Sequence, residues 1–150
     1  MPSHIYTMLG LWEESIKSNQ AALEVQPDYY HALDFVVYAH LQLSQDAQAS
    51  ALIEKGVADA MRKPPTLKGY KNSVAAMPAR YALERADWKA ASVLPVTSND
   101  WAYADSITRF ARGLGMARSG DLTSARQEID AMKTLRQELE KANESYWAAR

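Results

Sequence analysis

Apolar residues recur along this chain three and four positions apart, with polar residues between them, the spacing of one buried face on an amphipathic helix. Leu33, Val36, Val37 and His40 form one such stripe, and Ala49, Leu52, Ile53 and Gly56 form the next. Leu67, Tyr70, Val74, Met77 and Tyr81 continue the pattern, followed by Tyr103, Ile107, Phe110, Ala111 and Leu114. The longest run is Leu122, Ala125, Ile129, Met132, Leu135 and Leu139. Glycine and proline are sparse, six of each, and β-branched residues do not cluster, so the pattern predicts an all-α fold. About six to eight helices and no sheet are expected.

The breaks between stripes have recognisable chemistry. Gly10 suits a tight inter-helix turn, because only glycine enters the left-handed backbone region without steric cost. Pro27 ends a helix and biases Gln26 away from helical geometry. Ser44 reads as an N-cap. Gly56 lies inside a helix, where glycine costs about 1 kcal/mol, so close packing is expected there. The run Met61-Arg62-Lys63-Pro64-Pro65 stops a helix. Pro78 predicts either a kink or a new helix with the proline in its first turn, and Pro95 closes a short helix that starts near Asp87. A loop from Val96 to Asp100 offers Ser98, Asn99 or Asp100 as caps. Gly120-Asp121 makes a turn, and Asn143-Glu144-Ser145 a break before Tyr146-Trp147.

The same helix–turn–helix junction recurs at Trp12, Asp46, Trp88 and Leu122, at spacings of 34, 42 and 34 residues. The segment from Met1 to Trp12 also matches the segment from Met77 to Trp88, each opening Met-Pro and closing on tryptophan. A period near 34 is that of paired-helix repeats, which bury their apolar faces only by stacking. Gly10 to Pro27, with small residues at Ser15 and Ala22, resembles the second helix of a tetratricopeptide unit. Leu9-Gly10-Leu11-Trp12-Glu13-Glu14-Ser15-Ile16 and Pro78-Ala79-Arg80-Tyr81-Ala82-Leu83-Glu84-Arg85 are similar to segments of longer bacterial tetratricopeptide proteins.

The resemblance implies a tetratricopeptide-like right-handed superhelix, an α–α solenoid of antiparallel helix hairpins, in one domain over 1–150. Its parts are a partial repeat 1–29, a repeat 30–62, a degenerate repeat 66–95, a repeat 100–142 and the start of a further helix at 144–150. It also implies a protein or peptide partner held on the concave groove, with no catalysis. By register that groove takes His4, His31, Asp34, Tyr38, Arg80, Glu84 and Phe110. The chain departs from the family pattern where Ser44 and Ala86 replace the turn glycine, where Asn19 replaces an aromatic, and at the 42-residue step.

Charge and composition narrow the partners. With 17 basic against 18 acidic residues and no basic cluster, a nucleic-acid surface is not expected. No apolar run approaches the roughly 20 residues that span a bilayer, and no signal peptide is evident, so a cytoplasmic protein is expected. There is no cysteine, hence no disulfide or thiolate chemistry. Glycine-rich phosphate loops, nucleophile elbows and His-Glu-x-x-His motifs are lacking, so neither a cofactor nor a metal is expected.

One constellation supports an alternative. His31 and Asp34 share a helix face, and His4 could approach it, giving a three-ligand site for a metal-dependent enzyme. His40, on an apolar stripe, reads as a hydrogen-bonded core histidine. Glu13-Glu14 stabilises the positive end of a helix dipole, and Arg136, Glu138, Glu140 and Lys141 form a solvated face. Finally, Tyr146 and Trp147 lack a following helix to cover them. They predict either a homodimer through the terminal helices or a fold-back onto Ile129, Met132 and Leu139.

Overall fold

The computed structural model describes residues 2–96 and 101–149. Among the described residues there are nine helices and no strand. They are α1 (Pro2–Met8), α2 (Trp12–Val25), α3 (Tyr30–Gln42), α4 (Asp46–Arg62), α5 (Lys68–Glu84), α6 (Trp88–Ser92), α7 (Ala102–Arg118), α8 (Leu122–Lys141) and α9 (Ser145–Ala148). The number exceeds the expected six to eight because the short runs at both ends are helical. Ser98, Asn99 and Asp100, expected as caps, lie outside the described residues; Trp101 holds the N-cap position of α7 without a side-chain cap.

Among the described residues, five adopt left-handed backbone: Gly10, Ser44, Ala86, Gly120 and Asn143. Each stands two residues before the next helix begins. At every one, the following amide donates to the carbonyl five residues back: Leu11 to Tyr6, Gln45 to His40, Asp87 to Ala82 and Asp121 to Met116 at 2.9 Å, and Glu144 to Leu139 at 2.8 Å. This closes the preceding helix by the Schellman pattern and satisfies a carbonyl that its own helix leaves unpaired. Ser44 is therefore the left-handed closing residue, in the place of the turn glycine, and not the expected N-cap, a position that Gln45 takes without its side chain capping the helix amides. At two later junctions aspartate does cap: Asp87 Oδ1 accepts from the Ala90 amide and Asp121 Oδ1 from the Ser124 amide, both at 3.0 Å. The Ser124 hydroxyl and then its amide hold the Asp121 carboxyl below the ordinary carboxylate range.

Alanine at φ 51° in Ala86 carries a steric cost that glycine avoids. Ala86→Gly is expected to stabilise the chain by about 0.5–1 kcal/mol, after the greater backbone freedom of the unfolded glycine is set against the relieved strain. Urea unfolding of the two proteins measures this; a loss of stability would show that the turn is unstrained.

The chain divides into two compact units, Met1–Met77 and Pro78–Arg150, with the boundary inside α5. α5 runs through Pro78 as one helix, so the expected new start at that proline does not occur. In the first unit α1 to α4 pack in sequence, and α1 also touches α3. Its core holds Ala32, Val36, Val37, Ala39, Ala49 and Met77. Gly56 has the packing reason expected of it, since a Cβ there would lie 2.6 Å from Leu33 Cδ2 and 3.5 Å from Met77 Cε. Between α1 and α2 the contact is small and polar. Ser3, Ser15 and Asn19 are buried, Asn19 Nδ2 donates to the Ser15 carbonyl at 2.8 Å, and Thr7 Oγ1 lies 3.1 Å from Ser15 Oγ. Asn19 stands where an aromatic was expected because its amide turns back to its own helix, leaving room for α1.

In the second unit α6, α7, α8 and α9 pack in sequence. Trp12 and Trp88 each open a helix after a left-handed turn, and each is covered from the following helix. Tyr38 lies edge-on to Trp12 at 5.6 Å in the first unit, and the Arg118 guanidinium lies over Trp88 at 5.5 Å in the second. No helix among the described residues is long and apolar enough to cross a membrane.

Candidate functional site

The seven residues assigned by register fall in both units. His4 on α1 is exposed, His31 and Tyr38 on α3 are half-buried, and Asp34 on α3 is buried. Arg80 (half-buried) and Glu84 (exposed) lie on α5 after Pro78, and Phe110 on α7 is 55% exposed.

In the first unit the structure brings two of the seven together. His4 Nε2 lies 3.1 Å from His31 Nε2, so one imidazole N–H donates to the other ring. Phe35 holds both rings. It stacks on His4 at 4.7 Å and meets His31 edge-on at 5.1 Å. Tyr29 lies on another side of His31 at 6.1 Å. Burial, reinforced by the neighbouring His4 charge, holds the His31 imidazole below its ordinary value. Asp34 does not complete the expected ligand triad: among the described residues no three His, Cys, Asp or Glu side chains converge as a metal site requires. His40 stands apart from this pair, with Nδ1 donating to Gln45 Oε1 at 2.6 Å, as a hydrogen-bonded histidine should.

The second unit contains a cleft of which the register assigned Phe110 alone. It encloses about 510 Å³ between α7, α8 and α9 and is lined by Tyr103, Ile107, Phe110, Met132, Leu139 and Trp147, with Ser106 and Arg136 as its polar members. Trp147 is half-buried, edge-on to Trp101 at 5.8 Å and against Tyr103 at 4.7 Å. The fold-back thus describes Trp147, although its ring partners are Trp101 and Tyr103 at the start of α7. Tyr146, 4.9 Å from Trp147, and Ile129 remain exposed.

The cleft lies between the first turns of α7 and the C-terminal half of α8, with the four-residue α9 at one side. The Ser106 hydroxyl is occupied, donating to the Tyr103 carbonyl at 2.7 Å. Arg136 Nε donates to Glu140 Oε1 at 2.9 Å on an exposed face, a pairing that water weakens enough for a ligand to compete with it. Tyr103, Ile107, Met132 and Leu139, which line the cleft, stand on apolar stripes that read as core.

α8 also carries a buried carboxylate. Glu128 accepts from Arg109 Nη1 at 2.9 Å and from Arg112 Nε at 2.7 Å, and Arg112 Nη1 donates to the Leu94 carbonyl at 2.9 Å. The one carboxylate offsets one of the two positive charges, and the group ties α7 and α8 to the segment that follows α6. Comparison with family models, with curated proteins and with solved structures finds no match to this chain.

Proposed function

We propose that this chain is a helical-repeat interaction module of tetratricopeptide type, and that it binds an extended segment of a partner protein. The observation that carries the reading is the open apolar cleft of the second unit, with Phe110 more than half exposed on its wall. Exposed aromatic and methionine surface gathered into a concave site is unfavourable in water and favours an apolar occupant. Support for the repeat architecture comes from the five left-handed junctions, three steps of which follow the 34-, 42- and 34-residue spacing. The occupant best suited to the cleft is a peptide with an apolar or aromatic anchor and an acidic group close by. The anchor fills the space between Phe110, Met132 and Trp147, and the acid competes with Glu140 for Arg136.

Selection of peptides from a random display library against the folded chain tests this. Phe110→Ala is expected to weaken selected peptides at least about tenfold, the effect of losing an aromatic anchor, while unfolding changes little because the ring is exposed. Arg136→Glu should weaken acidic peptides selectively. The reading fails if no selected peptide binds more tightly than about 100 μM, or if binding is indifferent to both substitutions.

A further inference from the structure

The two histidines outside the cleft have a geometry that the peptide reading does not use. We infer that His4 and His31 chelate a divalent transition-metal ion through their Nε2 atoms, with water completing its coordination. Two imidazole nitrogens held at about 2.0–2.1 Å from one ion, at an angle of roughly 100–110°, lie about 3.1–3.4 Å apart. The observed separation is 3.1 Å. The rings, 5.3 Å apart between centroids and near perpendicular, now face each other through a shared proton. A modest rotation of each ring turns both lone pairs to a common point. The donor imidazole then carries its proton on Nδ1, so a neutral pair binds the ion without net proton release.

A further observation favours chelation over a chance approach. Both rings are already held by Phe35, and His31 also by Tyr29, so less side-chain freedom remains to be lost on binding. With no third His, Cys, Asp or Glu beside the pair among the described residues, affinity is modest and follows ligand-field preference, so Cu²⁺ binds more tightly than Ni²⁺ or Zn²⁺. The ion joins α1 to α3 across 27 residues of sequence.

Titration of the full chain with CuCl₂, followed by calorimetry and electron paramagnetic resonance, tests the site. One equivalent should bind with hyperfine coupling to two imidazole nitrogens. His4→Ala and His31→Ala should each weaken binding at least about tenfold, since each leaves a single imidazole, while His40→Ala leaves it unchanged. Circular dichroism establishes that each variant is folded, and His31→Gln replaces His31→Ala if the smaller side chain unfolds α3. The proposal is overturned if wild type binds no more tightly than the two single variants. It is also overturned if binding survives at His31 variants and is lost only at His4→Ala, which assigns the ion to His4 and adjacent main-chain nitrogens.

Discussion

Glu128→Ala is expected to destabilise the second unit by about 3 kcal/mol, one of the two largest effects foreseen for a single substitution in this chain. The Glu128 side chain is 7% exposed, and its two carboxylate oxygens accept from Arg109 and Arg112. Removing the carboxylate leaves two guanidinium groups facing each other over a cavity, at the low end of the cost of breaking a buried ion pair. The low end applies because both arginines keep some contact with water, at 30% and 26% exposure. Glu128→Gln retains the volume and one acceptor, so its cost should lie between those of wild type and alanine. Chemical denaturation followed by circular dichroism distinguishes the three proteins. Equal stability of Glu128→Ala and wild type would mean that the arginines find other acceptors at no cost.

Gly115→Ala should be nearly as harmful, and for a steric reason. A Cβ on Gly115 would lie 2.6 Å from the Trp88 carbonyl oxygen, 2.7 Å from the Ser92 amide nitrogen and 2.8 Å from Ala91 Cβ. Two of these are backbone atoms of α6, which cannot rotate away, so α6 and α7 must separate. Overpacking of this kind costs about 1–3 kcal/mol, and the better helix propensity of alanine returns only about 1 kcal/mol. We expect a net loss of about 2 kcal/mol, the upper end once that return is subtracted, because backbone atoms give way least. Gly113→Ala is the internal control. Its nearest neighbours would be Glu128 Cβ at 3.4 Å and the Ala125 carbonyl at 3.8 Å, ordinary contacts. That substitution should be neutral or stabilising by up to about 1 kcal/mol. If the two glycines respond alike to alanine, the close approach of α6 to α7 is not what demands Gly115.

Helices and the turns between them were legible in the amino-acid sequence because their causes are local. Apolar spacing of three and four residues, prolines that lack a donor and small residues at the tight turns act over one or two helical turns, so the junctions before Trp12, Asp46, Trp88 and Leu122 could be placed without a structure. Even there, Ser44 carried two readings, an N-cap and a replacement of the turn glycine; its positive φ keeps the second and rules out the first. The helix likewise continues through Pro78, which the missing donor alone did not foretell.

Side-chain partnerships were settled by the tertiary structure. On α8 the apolar pattern selected Ile129, yet Ile129 is 47% exposed and Glu128 beside it is 6% exposed. Those two positions differ by one helical step of about 100°, and only the arrival of Arg109 and Arg112 from α7 makes a carboxylate the better buried neighbour. The cleft is bounded by α7, α8 and the short α9 together, a matter of docking that no single stripe encodes. The His4–His31 contact spans 27 residues, and register brought those residues to one face but could not set a distance of 3.1 Å or exclude Asp34 from the set. Periodicity determines which side of a helix turns inward; the contact distances and ligand sets on that side are set by other helices, whose approach depends on every side chain packed between them.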